Sequence, residues 1–375
     1  MLPLEGDRQA IVDIFEVAGG TTHDYMLAGV ADYTQTRETD LQTDEFRDNL
    51  ADDGVRFANG LGSSGEFRSL PYDDTDATSA FYGVFTDAHI AHGYRPFTVT
   101  LRPAFPEGED FPGAGPRAGQ KGKTACLKLH FPENSIENGQ IILCNAPRFR
   151  YYNELAHEQE AFAHFMDRSL QKIILRSEGE KLDNTFVTVL APFEGEPLLQ
   201  SVKCLQNDQA GIILQLTTPA DSILFFFKKQ EDSVPLTWGD YRTTARLTVF
   251  RNHSVTLCGK GEASQGEKIW RCDPANPAEL LAVTEDTLLV GATLQESDAQ
   301  GFCVVTQPGQ TPRHLPIKAL RPLQNGTTEI QVEGRVGFTY SLENEFLRET
   351  RFPHRTLYGK AQILLPGWAE FSIEE

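Results

Sequence analysis

The chain has 375 residues, 40% of them hydrophobic, which is enough to bury a sizeable core. It carries 34 basic and 53 acidic residues, a formal net charge of −19. This balance argues against a nucleic-acid partner, because such proteins display Lys and Arg stripes that displace phosphate counterions, and it gives no support to binding at an anionic membrane.

The chain begins with MLPLEGDRQAIVDIF, which lacks the basic and long apolar regions of a signal peptide and runs directly into strand-like sequence. A start this abrupt is what we expect of a mature protein or of part of a longer one. No apolar run approaches the ~18–20 residues of a membrane helix, and the longest, Ile223–Phe227, is strand-sized. We therefore expect no membrane partner.

Short alternating segments dominate the rest of the chain. Those that have the composition of strands are AIVDIFEV, FTVTLRPAF, ACLKLHF, QIILCNA, KIILRS, TFVTVLAPF, GIILQLTT, SILFFFKK, ARLTVF, SVTLCGK and TEIQVEG. Turn pairs such as Asn138-Gly139 and Asn325-Gly326 separate them and supply the positive φ angles of tight hairpins. The pattern predicts an all-β fold, a large antiparallel β-sandwich (super-sandwich).

Several stretches interrupt this pattern. Tyr152–Leu170 has helical composition and predicts a short helix on a long loop, while residues 34–53 and 106–123 are polar or rich in Gly and Pro and predict excursions from the sheet. Pro308–Gln324 holds four prolines and could separate a small C-terminal β layer, 325–375, from the sandwich. We predict a main domain over 1–324 and a small β segment over 325–375.

The six cysteines show no CxxC spacing, which argues against a zinc ribbon. Five of them lie in apolar, strand-like runs, so buried free thiols are the default interpretation. The even number permits disulfides without requiring any.

Three passages, taken in order, resemble the C-terminal β-sandwich of the heparinase II/III-like polysaccharide lyases. They are Asp13–Gly29 (DIFEVAGGTTHDYMLAG), Phe81–Phe105 (FYGVFTDAHIAHGYRPFTVTLRPAF) and Ile174–Val202 (ILRSEGEKLDNTFVTVLAPFEGEPLLQSV). The run TFVTVLAPFEGEP is the most distinctive, and the resemblance covers most of residues 10–230.

The resemblance implies an architecture in which a helical (α/α) toroid precedes this β-sheet domain and the active cleft lies between them. The toroid then supplies a catalytic tyrosine and groups that neutralise a uronate carboxylate, and the sheet domain supplies a histidine. No series of amphipathic helices is visible in this chain. We therefore expect the β-sheet portion of a lyase for uronic-acid-containing polysaccharides, inactive alone and partnered by a toroid, in a periplasmic or extracellular setting.

β-Elimination at a uronic acid needs a neutralised carboxylate, a base for the C5 proton and an acid for the leaving oxygen. His23 is the first catalytic candidate, because imidazole titrates near working pH and because a Gly-Gly-Thr-Thr turn places it at a sheet edge or mouth. Tyr25 is a second proton-handling candidate, and Asp24 could orient the imidazole or contact substrate. The alternative is an edge histidine held for local order, with its neighbours turned to the opposite face.

Arg68, Arg95 and Arg102 are the substrate-binding candidates, because guanidinium groups can pair with the carboxylates of an acidic polysaccharide or oligosaccharide. Simple solvation at the surface is the alternative for each of the three.

No metal or cofactor is predicted, although a structural divalent ion remains open. Many family members have His-x-His where Tyr25 stands and a histidine where Ala28 stands, so both residues weaken the case for the family's metal. His89 and His92, with Asp87, could form a substitute pair, but in a strand positions i and i+3 face opposite sides.

A second hypothesis of a different class stays open. The chain could be a non-catalytic carbohydrate-binding or scaffold β-sandwich module that kept the fold without the chemistry. A third is an unrelated structural β protein.

Overall fold

The computed structural model describes residues 2–29, 34–50, 85–104, 125–134, 136, 138–147, 169–230, 234–273, 277–295, 301–310, 312–350, 354–365 and 367–373. Within these ranges every regular element is a β-strand, and all the recorded pairings are antiparallel, so the predicted all-β fold class is confirmed. None of the described segments forms a helix of the length and apolarity needed to cross a membrane. The chain divides into two compact units, Met1–Asn207 with Leu216–Ala220, and Asp208–Gln215 with Asp221–Glu375.

The first unit contains twelve described strands. They are β1 (Leu2–Pro3), β2 (Gln9–Ala18), β3 (Thr22–Ala28), β4 (Thr34–Thr39), β5 (Glu45–Asn49), β6 (Thr86–His92), β7 (Phe97–Ala104), β8 (Cys126–Phe131), β9 (Gln140–Pro147), β10 (Ser169–Glu178), β11 (Asp183–Phe193) and β12 (Ser201–Asn207). Sheet 1 has the order β1-β2-β11-β8-β7-β4, and sheet 2 has the order β3-β10-β9-β6-β5.

Sheets 1 and 2 pack face to face over one apolar core. Alternation sends Ile141 and Ile173 inward from sheet 2, where they meet Val99, Leu129 and Phe186 from sheet 1, all of them at most 1% exposed. Burial of each such side chain stabilises the folded state by about 1.5–3 kcal/mol. This shared core makes the first unit a β-sandwich.

Sheet 2 is also buried on its other face. Ile90, Ile142, Cys144 and Ile174 form a second apolar cluster there, and each is at most 2% exposed. Two buried faces explain why QIILCNA and KIILRS are continuous apolar runs rather than strict alternations.

The second unit contains the remaining strands. They are β13 (Gly211–Thr217, which extends into the first unit at its end), β14 (Ser222–Lys228), β15 (Leu236–Trp238), β16 (Tyr241–Thr243), β17 (Leu247–Phe250), β18 (Ser254–Cys258), β19 (Gly261–Gln265), β20 (Lys268–Cys272), β21 (Ala278–Val283), β22 (Thr287–Val290), β23 (Phe302–Thr306), β24 (Arg313–Pro322), β25 (Thr328–Val332), β26 (Phe338–Ser341), β27 (Phe346–Glu349), β28 (Thr356–Tyr358), β29 (Gln362–Leu364) and β30 (Trp368–Ser372).

These strands form two sheets, a barrel and a small sheet. Neighbours β13-β14-β17-β18-β30 form sheet 3 and β15-β16-β19-β20 form sheet 4. The order β21-β22-β25-β24-β23-β29 closes a barrel, and β26-β27-β28 form a three-stranded sheet. The barrel has its own core, which includes Leu280, Leu288, Cys303 and Ile330, all fully buried.

The proline-rich stretch is not a separator. Ten of its residues form strand β24, which pairs with β23 and β25, and the predicted boundary at residue 324 falls between two adjacent strands of the barrel. The register shift between Ile317 and Ala319, just after Pro316, is where a strand tolerates the loss of a backbone donor.

The expectation that residues 34–53 leave the sheet is wrong for the two strands found there. Thr34–Thr39 (β4) is an edge strand of sheet 1, and Glu45–Asn49 (β5) is an edge strand of sheet 2. Edge strands are commonly polar and charged, because such side chains discourage pairing with other chains. The polar composition of β4 and β5 is therefore why the sequence did not predict them as strands.

Of the predicted helix Tyr152–Leu170, residues 152–168 lie outside the described part, and Ser169 and Leu170 begin strand β10 instead. The predicted excursion 106–123 also lies outside it. The turn predictions at Asn138-Gly139 and Asn325-Gly326 are confirmed, since Asn138 and Gly326 have φ angles of 41° and 80°.

Candidate functional site

The predicted histidine lies at one end of the first-unit sandwich, where two turns are joined through their backbones. Gly19 N–H donates to Leu182 O at 2.7 Å, and Gly179 N–H donates to Thr21 O at 3.0 Å. Gly19 and Gly20 have φ angles of 86° and 82°, which residues with a side chain rarely adopt. The Gly-Gly pair is therefore required for the corner that leads from β2 into β3.

His23 is held on both sides of its ring. Its Nδ1 lies 2.8 Å from Asn184 Oδ1, and its Nε2 is in close contact with Gly19 O. A ring protonated on both nitrogens donates to both oxygens, whereas a neutral ring donates to one of them. The prediction that His23 lies at a sheet edge is confirmed, since β3 is the edge strand of sheet 2, but its side chain is only 7% exposed.

A cleft of about 660 Å³ adjoins this corner, a volume within the usual range for ligand sites. Its lining residues are Glu133, Asn134, Ile136, Glu180, Lys181, Leu182, Asp183, Asn184, Cys204, Leu205, Gln206 and Asn207. Asn184 therefore contacts both the cleft and the imidazole, and His23 lies one hydrogen bond behind the cleft wall.

The charges around this cleft are mainly acidic. Glu133, Glu180 and Asp183 contribute three carboxylates, against the single ammonium group of Lys181. A uronate entering here meets a negative local field, so its carboxylate needs cations from beyond these lining residues.

Tyr25 lies on the same face of β3 as His23, and its hydroxyl and ring both make structural contacts in the core. Its hydroxyl donates to Asp13 Oδ2, and its ring stacks on Phe186 with centroids 5.3 Å apart. Burial, reinforced by the Asp13 carboxylate, raises the pKa of Tyr25 well above its usual value. The phenolate that would abstract a proton is thus strongly disfavoured at this position.

Asp24 does not orient the imidazole, because alternation turns it to the opposite face of β3. There it forms a two-pronged ion pair with Arg176, directly across the strand pair, with N–O distances of 2.8 and 2.7 Å. The expected orienting role belongs to Asn184 instead.

The two arginine candidates that the structure describes, Arg95 and Arg102, do not line this cleft. Arg95 donates to Gln42 O, and Arg102 Nε donates to Glu38 Oε1 at 3.1 Å on the surface. Arg68 lies outside the described residues.

Sequence reasoning missed two asparagines. Asn184 is a buried amide on the inward face of β11, where the next inward residue is Phe186. A polar residue at an inward position of an otherwise apolar alternation is the sequence signal that could have identified it. Asn134 accepts a bond from Val187 N–H at 2.7 Å and donates to the Tyr94 hydroxyl at 2.7 Å. Asn134 thus fixes the backbone beside the cleft, and Asn184 fixes the imidazole.

Across the described ranges, no group of three or more His, Cys, Asp or Glu side chains is placed to hold a metal ion. The His89 ring lies 3.5 Å from the Asp87 carboxylate and the His92 ring 2.7 Å from the Glu45 carboxylate.

No protein-family model matches the chain, and comparison with curated proteins finds no significant match.

Proposed function

We propose that this chain is the β-sheet portion of a polysaccharide-lyase-like protein that acts on uronic-acid-containing polysaccharide by β-elimination, with His23 as its proton-handling residue. The observation that carries the proposal is the placement of His23. It lies on an edge strand and is oriented by Asn184, a residue that lines a ligand-sized cleft. The three passages that resemble heparinase II/III-like lyases supply the reaction class.

Because the cleft is acidic, the proposal assigns neutralisation of the uronate carboxylate to a partner domain and proton transfer to this chain. Three carboxylates against one ammonium group do not neutralise a uronate. In the proposal an N-terminal (α/α) toroid brings the neutralising groups and the tyrosine, since Tyr25 is buried and bonded to Asp13. The protein is then periplasmic or extracellular, where such polymers occur, and its chemistry needs no metal.

One observation favours the alternative of a non-catalytic carbohydrate-binding or scaffold module. Of the three adjacent candidates, Asp24 is paired with Arg176 and Tyr25 with Asp13, whereas His23 is bonded to Asn184, a residue that lines the cleft. A single imidazole without a neutralised carboxylate can hydrogen-bond a sugar but cannot complete an elimination.

The two hypotheses differ in product formation. Full-length protein is incubated with alginate, heparan sulfate and other uronate polymers, and the ultraviolet absorbance of unsaturated uronate ends is followed. The lyase proposal expects product from wild type, loss of at least about 100-fold in His23→Ala, and a normal rate in the control His92→Ala, an exposed histidine of the same unit. Polymer binding without product from wild type would establish the alternative.

A further inference from the structure

The second unit has a cleft of its own, of about 780 Å³, here called the second-unit cleft. Its lining residues are Ser222, Leu224, Asp240, Tyr241, Phe250, Arg251, Asn252, His253, Gln265, Gly266, Glu267, Lys268 and Ile373. They come from the ends of sheets 3 and 4, and every one belongs to the second unit.

Three tight turns form the walls. The hairpins β15–β16 and β19–β20 turn at Gly239-Asp240 and Gly266-Glu267, and Gly266 N–H donates to Asp240 O at 3.1 Å, which fixes the two tips together. The third turn, at Asn252-His253, is held by Asn252 N–H, which donates to Asp221 Oδ1 at 3.1 Å. The walls are therefore built before any ligand arrives.

The floor is apolar and aromatic. The Tyr241 ring packs edge-on against Phe250, with centroids 4.9 Å apart, and Phe250 in turn packs against Trp270. Phe250 is 2% exposed, so its contacts hold the Tyr241 ring in place at the cleft. A ring fixed in this way offers a flat surface at little entropic cost.

One cross-strand row extends this surface. Register places Trp238, Tyr241, Gln265 and Lys268 side by side across sheet 4 and on the same face. In the next row on that face Leu236, Thr243 and Ala263 are buried, whereas Trp238 is 44% exposed. The row thus emerges from the core as two neighbouring aromatic rings followed by an amide and an ammonium group.

The polar groups of the cleft suit hydroxyls better than phosphates. Asp240 and Glu267 contribute two carboxylates against the ammonium group of Lys268, and Arg251 pairs with Asp221 at 3.4 Å, so no excess of positive charge converges. The Gln265 amide donates to the Tyr241 hydroxyl at 3.1 Å, which keeps the amide in the plane of the floor. An amide can donate to a sugar hydroxyl or accept from it, whereas an ionised carboxylate can only accept from it.

We propose that the second-unit cleft is a saccharide-binding site, in which a pyranose ring lies with its C–H face on Tyr241 and Trp238 and its hydroxyls reach Gln265 and Asp240. A pyranose combines an apolar face with a rim of hydroxyls, and this pairing matches an aromatic floor with a mixed polar wall. The site is separate from His23, and it binds sugar whether or not the first unit takes part in elimination.

Titration calorimetry with three probes tests the site: an oligoalginate, a heparan sulfate oligosaccharide and neutral cellohexaose. At least one must bind, and the binding must change the fluorescence of wild type but not of Trp238→Phe. Tyr241→Ala and the milder Gln265→Ala should each weaken affinity by about tenfold or more. Ile269→Ala is the matched control, because Ile269 lies next to Lys268 on the opposite, exposed face of β20.

Preference for the acidic probes would identify the ligand as the uronate polymer that the lyase proposal names. Preference for cellohexaose would identify a neutral polysaccharide instead. Either result supports the site. Absence of binding by all three probes overturns it. So does a Trp238-dependent fluorescence change, or binding of neutral cellohexaose, that survives both cleft variants when circular dichroism shows them folded. His23→Ala should leave this affinity unchanged, so failure of the lyase proposal and failure of this site are distinguishable.

Discussion

At the scale of single residues, the hydrogen bonds and burial of His23 determine what the first unit can contribute to the proposed proton transfer. Asn184 Oδ1 lies 2.8 Å from Nδ1 and sets the orientation of a ring that is otherwise buried. Partners that orient functional histidines, such as those at metal sites, contribute about 10–100-fold to function.

Asn184→Ala should therefore lower kcat of the full-length protein by about 10–100-fold with little change in KM, because the imidazole loses its orientation while the cleft stays open. Asn184→Asp keeps an acceptor at the same place and should retain more activity with an altered pH profile. Steady-state kinetics across pH measure both. Equal losses in the two variants would show that the acceptor is not what matters.

The Asp24–Arg176 pair gives a prediction about stability. Its two short bonds join side chains that are only 8% and 18% exposed. Asp24→Ala leaves the Arg176 charge in place without this carboxylate, and we expect it to lower the free energy of unfolding by about 3 kcal/mol. Glu38→Ala, which removes an exposed partner of Arg102, should cost less than about 1 kcal/mol in the same urea titration. Equal costs would contradict a structural role for Asp24.

His130 should make the first unit sensitive to mild acid. Its side chain is 2% exposed, and burial, with help from Lys128, lowers the pKa of His130 to about 4, while Asp40 and a backbone bond to Leu199 act in the opposite direction. His130 takes up a proton near pH ~6.5 in the unfolded chain but only near pH 4 in the folded chain. Stability from this group is thus fully present above pH ~6.5 and is lost as pH falls towards 4.

The shift of about 2.5 pKa units corresponds to roughly 3 kcal/mol. In His130→Phe, whose ring does not titrate, the free energy of unfolding should fall less between pH 7 and about 4 than it does in wild type. Urea titrations at several pH values give the comparison. Parallel pH profiles in wild type and variant would refute the assignment.

At the scale of elements, alternation and turn chemistry predicted most of the strands, because a half-buried strand must alternate and a tight hairpin needs positive φ. The failures have physical causes as well. Strands β4 and β5 are edge strands with polar sequences, and β24 tolerates prolines at a register shift in a closed barrel. His23 could be placed at an edge from its Gly-Gly turn, but Asn184 could not be paired with it, because the two residues are 161 positions apart.

The β2–β11 pair provides a matched test of packing. Phe186 and Phe15 lie directly opposite each other in register, yet Phe186 is fully buried and Phe15 is 47% exposed. Phe186→Ala removes the ring on which Tyr25 stacks and should cost about 3–5 kcal/mol of unfolding free energy. Phe15→Ala should cost much less in the same measurement. Similar costs would mean that the inter-sheet core is not organised around Phe186.

At the scale of the whole molecule, the fold class followed from the sequence but the division of the chain did not. Residues 325–375 were expected to form a separate layer, and instead β25 and β29 complete a barrel begun by earlier strands. Pairing between strands that are far apart in the chain leaves no pattern in the local sequence. A domain boundary such as the one predicted at residue 324 therefore cannot be located from composition alone.

The proposed reaction class rests on the three resembling passages and on the position of one imidazole, since an all-β fold by itself supports many functions. The carboxylates of the cleft beside His23 come from the turn Glu180–Asp183 and from Glu133. That charge is why the proposal assigns neutralisation of the uronate to a second domain.

The most direct test of this account is chemical rescue of His23→Ala in the full-length protein, with unsaturated uronate formation as the readout. We predict that the substitution lowers the rate by at least about 100-fold and that added imidazole restores part of it, because a free imidazole can carry the missing proton. A variant that retains the wild-type rate, or a folded variant whose lost activity imidazole leaves unrestored, would contradict proton transfer by His23.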